Sequence, residues 1–185
     1  LAAHWVNAVA RRGDRPYGLV VGPTYGSVVE AQLEGPTGIL TLAPNDFRPT
    51  WHPSKKRLLW PNGVRAYVDG AEEPDRFRGP QYQWGYLDEI AAWKEPASLQ
   101  QIRIGMRLPP RPQLIATTTP KPVKHIIDLF TEAASSQGRI IIRTGSTYEN
   151  LVNLSDEYYH DVVAPIEGTR LAKQELDGKL LLDLP

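Results

Sequence analysis

The sequence predicts an α/β domain built on a mostly parallel sheet. Three stretches carry that reading. Residues 1–42 run helix, strand, helix, and residues 82–144 run strand, helix, strand, helix, strand. Such alternation is what parallel strands joined by right-handed crossovers require. Between these lies the organising stretch: an apolar strand, Tyr82-Gln83-Trp84-Gly85-Tyr86-Leu87, that ends in two adjacent carboxylates, Asp88 and Glu89.

Residues 1–12 place Leu1, Trp5, Val6 and Val9 on one helical face, and Gly13 supplies a stop. This helix begins without a cap or a preceding turn, so a start inside an element is expected. Residues 17–21 form a buried strand after Pro16. Thr24 caps a helix to about residue 33, closed by Gly35, and residues 36–42 make a weaker helical turn. Residues 55–60 and 64–68 flank Pro61-Asn62-Gly63, a strong hairpin signal. The first arm carries Lys55, Lys56 and Arg57, either a solvated strand edge or a phosphate-touching patch.

Pro74 opens a short helix that Gly79-Pro80 stops. Arg76 and Arg78 stand on it. An arginine on a rigid turn serves as a surface ion-pair partner or as a finger that neutralises a transferring phosphoryl group. The strand ending in Asp88-Glu89 follows. P-loop ATPases use that position for a magnesium ligand and a base; a strand with an acidic turn is the plain alternative. A helix over residues 96–108 has Leu99, Ile102 and Met106 as its core stripe. Residues 113–117 form a strand that ends in Thr117-Thr118-Thr119. Hydroxyls there sit at a ligand edge, although threonine also simply suits strands. A helix over 123–134, with Ile126, Ile127 and Phe130 inward, leads to a strand over 139–144. Two helices within 155–178, broken at Pro165 and stopped by Gly178, suggest a small lid, and residues 179–185 look like the start of a linker.

Composition bounds the function. Lys plus Arg and Asp plus Glu both number 21, so no global basic field announces nucleic acid. The absence of cysteine excludes a disulfide framework and a thiol nucleophile. No apolar run approaches membrane-spanning length. His4, His52, His125 and His160 lack metal-ligand spacing. Trp51, Trp60 and Trp93 read as packing residues and not as base-stacking platforms.

Taken together, Arg76 to Gln81, Trp84 to Trp93, Ala116 to Pro122 and Gly145 to Asn150 resemble the ATPase half of a tailed-phage terminase large subunit. The resemblance covers nearly the whole chain; the combination is specific, although no single motif is. It implies a P-loop NTPase of the additional-strand, RecA-like type, a three-layer sandwich with a β-hairpin insertion and a helical lid. It implies ATP and Mg²⁺ as cofactors. Asp88 resembles the magnesium-coordinating Walker B aspartate and Glu89 the catalytic glutamate. Arg78 resembles the finger offered to a neighbour's ATP, with Arg76 as the alternative. Thr117, Thr118 and Thr119 resemble the coupling motif that senses the γ-phosphate.

The implied domains are a core over 1–145, a lid over 146–178 and a linker over 179–185. The implied partners are double-stranded viral DNA, a portal protein, a terminase small subunit and further copies in a ring, with a monomer as the alternative for the isolated fragment and no membrane. The implied place is the cytoplasm of an infected or lysogenic bacterial host, at the procapsid portal. Two family features are missing from these residues: the Gly-Lys-Thr or Gly-Lys-Ser phosphate loop and the nuclease domain. A fragment inactive by itself is therefore expected. A helicase-like ATPase and a non-catalytic prophage remnant are the alternative readings.

Overall fold

The computed structural model describes residues 1–181, and these divide into two compact units, Leu1–Thr118 and the part that begins at Thr119. The first unit holds a six-stranded sheet. Its strands are β1 (Tyr17–Gly22), β2 (Thr50–His52), β3 (Arg57–Leu59), β4 (Arg65–Gly70), β5 (Trp84–Leu87) and β6 (Gln113–Ala116). They lie in the order β2-β3-β4-β1-β5-β6. The four from β4 to β6 are mutually parallel, and β2 and β3 extend the sheet antiparallel.

Alternation along the strands makes two faces. Val20, Ala66, Val68, Trp84 and Tyr86 face one way, and helix α1 (Ala2–Arg12) packs on them through Val6 and Val9. Trp84 is the centre of this layer. Trp5 and Trp60 meet it edge-on, with centroids 6.3 and 5.9 Å away. Gly18 stands beside Trp84 on the neighbouring strand, where a Cβ would fall 2.1 Å from the indole. Only glycine leaves room for that ring. The opposite face buries Leu19, Val21 and Leu87. Burial on both sides explains why the parallel strands read as continuous apolar runs.

Gly13 ends α1 in the left-handed conformation. Thr24 caps α2 (Tyr25–Ser27) in a capping box with Ser27, and the helix continues as a π-turn over Val28–Leu33. Helix α3 (Ala97–Gly105) packs against the 3₁₀ turn Pro74–Phe77; both Ile102 and Phe77 are buried.

The second unit contains α4 (Lys124–Ser135), α5 (Asp156–Tyr158), which continues as a π-turn over Tyr159–Val163, and α6 (Arg170–Glu175). Ser155 and Thr169 cap α5 and α6. Val163, Ala172 and Leu176 form a small core with Tyr159 and Ile166 against it.

Residues 36–42 form turns, and Leu42 N–H reaches Gly38 C=O at 3.0 Å, the spacing of the single helical turn expected there. Two expectations change. Residues 139–144 form no strand: Ile141 and Ile142 are exposed and no ladder partner meets them among the described residues. The hairpin at Pro61-Asn62-Gly63 is present, but it is no insertion, because its second arm is β4, paired with β1 along all six residues. Of the linker expected over 179–185, residues 182–185 lie outside the described residues.

Candidate active site

Parallel strands present their carboxyl ends on one edge, and register decides which residues meet there. Leu87 pairs with Ala116, so Asp88 and Thr117 leave β5 and β6 side by side. The backbone carries the pairing one step further: Thr117 N–H donates to Leu87 C=O at 2.9 Å, and Ile90 N–H donates to Thr117 C=O at 3.2 Å. Asp88 N–H is held by Val21 C=O of β1 at 2.8 Å.

The Asp88 side chain is fixed by two hydroxyls. Thr117 Oγ1 donates to Asp88 Oδ1, and the Tyr86 phenol donates to the same oxygen at 3.1 Å. Tyr86 lies two residues earlier, on the same face of the strand. Burial first, and then the negative charge of Asp88, push its phenol up to about 12, so it remains a donor through the physiological range. The Trp93 indole N–H donates to Asp88 C=O at 2.9 Å and ties the following turn to the strand end. Thr118 Oγ1 accepts the Ala91 N–H at 3.0 Å.

Glu89 stands between these anchors in the left-handed conformation, φ 47° and ψ 47°. That costs a side-chain-bearing residue about 1–2 kcal/mol. Strain of this kind persists where the surroundings over-determine it, and it concentrates at functional sites. The 3₁₀ turn Ile90–Ala92 starts directly afterwards.

The donor chemistry fits a hydrated magnesium ion. Mg²⁺ keeps several waters and takes one or two carboxylates beside substrate phosphates. Both hydroxyls bond Asp88 Oδ1, and Oδ2 accepts no hydrogen bond among the described residues. An oriented carboxylate with one oxygen in reserve suits that ligand role.

The two arginines are set differently. Arg76 reaches the buried Asp69 at 3.1 Å and Glu73 at 3.1 Å. Asp69 is only 1 % exposed and also takes Lys56 at 2.8 Å and the Tyr67 hydroxyl at 2.6 Å. Burial alone would raise the Asp69 carboxyl pKa, but its bonds from Lys56, Tyr67 and Gly70 N–H hold it below the usual carboxylate value. Arg78, by contrast, is 66 % exposed, and its ion pair is with the exposed Asp75. Lys56 therefore serves the interior; it is neither a solvated edge residue nor a phosphate patch.

A family model described as "Terminase large subunit, T4likevirus-type, N-terminal" matches residues 2–183. The chain belongs to that terminase family. Solved structures agree on the fold. The large terminase of a thermophilic bacteriophage matches with a TM-score of 0.73 at 14 % identity, over 98 % of this chain and 45 % of that one. Its complex with ADP matches with a TM-score of 0.73 at 13 % identity, over 96 % and 44 %. The large terminase ATPase domain of Thermus phage P74-26 matches with a TM-score of 0.58 at 16 % identity, over 97 % and 84 %. The chain thus spans less than half the length of the first of these terminases. Comparison with curated protein sequences gives no match.

Within this terminase chain, Asp88, Glu89, Thr117 and Thr118 share one sheet edge. Thr119 begins the second unit. Sequence reading missed Tyr86 and the Asp69 hub. Tyr86 was visible as a tyrosine two residues before the carboxylate, which is the same-face spacing of a strand. Asp69 was visible as a lone carboxylate closing an apolar strand, and such a group needs partners.

Proposed function

We propose that this chain is the ATPase part of a terminase large subunit that, in the full-length protein, couples ATP hydrolysis to packaging of phage DNA. The observation that carries the reading is the Asp88 carboxylate held by Thr117 and Tyr86 beside the left-handed Glu89, in a chain of this family.

Phosphoryl transfer to water leaves little covalent chemistry for a protein to do; it rests on positioning and charge stabilisation. Asp88 would hold the magnesium shell, and the ion when bound neutralises charge on the phosphates. Glu89 orients the attacking water and accepts its proton. Thr117, Thr118 and Thr119 form the coupling motif that senses the γ-phosphate, and residues 146–178 act as the lid. Arg78 acts on the ATP of a neighbouring subunit in a ring, since its exposure leaves it available; Arg76 is committed to Asp69.

Partners in this reading are double-stranded viral DNA, a portal protein and a small subunit, in the cytoplasm of a bacterial host. No helix among the described residues is long and apolar enough to cross a membrane. These 185 residues contain no Gly-Lys-Thr or Gly-Lys-Ser phosphate loop, so by themselves they turn over ATP poorly.

The test is steady-state ATP turnover by the full-length protein with and without Glu89→Gln. Turnover that collapses in the variant while ATP still binds supports the reading. A variant as fast as the parent removes Glu89 from the mechanism. Rapid turnover by the isolated 185 residues overturns the expected inactivity.

A further inference from the structure

A second polar site lies at the other end of the parallel strands. Tyr17 and Arg65 open β1 and β4 and stand opposite each other. Arg57 and Tyr67 oppose each other across β3 and β4. Residues two apart on a strand share a face, so Arg65 and Tyr67 present their side chains together. With Gly18, Gln81 and Tyr82, these four residues line an open cavity of about 160 Å³. Asp88 and Thr117 follow the carboxyl ends of their strands, so this cavity is no part of the candidate active site.

Among the described residues, two buried donors of the lining side chains have no partner: Arg57 Nε and the Tyr82 hydroxyl. Tyr82 is only 3 % exposed. A guanidinium offers donors only, and burial followed by the charge of Asp69 pushes the Tyr82 phenol up, which keeps its proton in place. Native interiors leave few buried donors unpaired, and each one that remains calls for an explanation.

The charge is also unbalanced. Among the described residues no carboxylate pairs with Arg57 or Arg65; the Arg65 guanidinium lies 4.7 Å over the Tyr17 ring. Asp69, the acid whose charge reaches Tyr82, is already held by Lys56, Arg76 and Tyr67. A trapped water would satisfy the two donors but would bring no countercharge to the partly buried Arg57. An oxyanion satisfies all of them at once.

We propose that this cavity binds a phosphate group, held by the guanidinium groups of Arg57 and Arg65 and the hydroxyl of Tyr82. Arginine forks match phosphate geometry, and charge-assisted bonds are the strong ones. The group comes either from free phosphate or from the backbone of a nucleic acid; the recognition chemistry is the same. The site is independent of the proposed hydrolysis, so loss of Glu89 leaves it intact.

The test is thermal unfolding of the 185-residue chain against inorganic phosphate, with sodium chloride at matched ionic strength as the control. The melt reports folding in the same measurement. Phosphate raises the midpoint in a saturable way, and Arg57→Gln weakens the apparent affinity about tenfold or more. Arg65→Gln, at an exposed strand start, does the same without risk to the core. Tyr82→Phe removes an unpaired buried hydroxyl, so it keeps or raises the phosphate-free midpoint while weakening phosphate binding. Glu89→Gln binds phosphate as the parent does.

Titration with a short DNA duplex separates the two sources. Loss of duplex binding in Arg57→Gln and Arg65→Gln, in step with loss of phosphate binding, assigns a backbone phosphate. Loss of phosphate binding alone assigns a free anion. No stabilisation by phosphate beyond the chloride control, or parental affinity in both arginine variants, overturns the proposal.

Discussion

The Thr117 hydroxyl donates to the Asp88 carboxylate, so the residue that follows β6 holds the residue that follows β5. Register alone would place the two side by side; the hydrogen bond also chooses the carboxylate's orientation. A hydrogen bond to a charged group contributes about 1.5–3 kcal/mol, which is enough to select one rotamer. Thr117→Val keeps the β-branched shape and removes the donor. In the full-length protein we expect ATP turnover to fall about tenfold or more, with the melting temperature lowered by a few degrees at most. A lowered melting temperature with parental turnover would mean that the bond serves the fold and not the site.

Glu89 sets function against stability at one position. Its left-handed backbone costs about 1–2 kcal/mol. Glu89→Gly relieves that strain, partly offset by about 0.4–1 kcal/mol of extra unfolded-state entropy. The expected result is a midpoint unchanged or raised by a few degrees, with turnover abolished. Glu89→Gln keeps the strain and loses the charge, so turnover falls about a hundredfold without the gain in midpoint expected of the glycine variant. Calorimetry on both variants, read beside turnover, checks the pair. A Glu89→Gly protein that melts well below the parent would show that the side chain, and not the strain, dominates there.

Arg76 and Arg78 are two residues apart and should fail in opposite ways. Arg76→Ala deprives the buried Asp69 of one of its cationic partners. Lys56 and Tyr67 remain, and Arg76 is itself 42 % exposed, so the loss is held to about 1–2 kcal/mol. Arg78→Ala touches only an exposed pair and should leave stability within about 0.5 kcal/mol. Its cost should appear as lost turnover in the assembled full-length protein. Mixing Arg78→Ala with Glu89→Gln should restore some activity, because subunits of each kind then supply what the other lacks. Mixtures that stay inactive would place the finger elsewhere.

The parallel core was legible because its residues obey local rules: alternating helices and strands, a Thr24 cap and an Asn62-Gly63 turn. The candidate carboxylates Asp88 and Glu89 stood out because they close an apolar strand. What escaped the sequence is long-range. Whether β4 forms one arm of an isolated hairpin or a central strand depends on its pairing with β1, 48 residues away by the register Tyr17↔Arg65. The 139–144 run has the composition of a strand, but composition cannot supply a ladder partner. Tyr86, Asp69 and Lys56 matter through contacts made across strands, which no single stretch displays.

Asp69 makes acid stability a measurable property of the site's scaffold. Its folded-state carboxyl pKa is depressed by Lys56, Tyr67 and Gly70 N–H, despite burial. A depressed carboxylate contributes stability that is present above its unfolded value, about 3.9. That stability is lost as the pH falls through 3.9 toward the lower folded value, because the folded state must then take up a proton that breaks the network. Asp69→Asn removes the titration and keeps one acceptor oxygen, which serves Lys56 or Tyr67 but not both. At pH 7 the variant should be less stable than the parent by about 1–3 kcal/mol. Between pH 5 and pH 3 the parent should lose stability faster than the variant, so the gap narrows. Denaturant unfolding of both proteins at pH 7, 5 and 3 checks this. A gap that stays constant across that range would assign the role of Asp69 to shape and hydrogen bonding, and would leave the charge of Lys56 and Arg76 without a part in holding β4 in place.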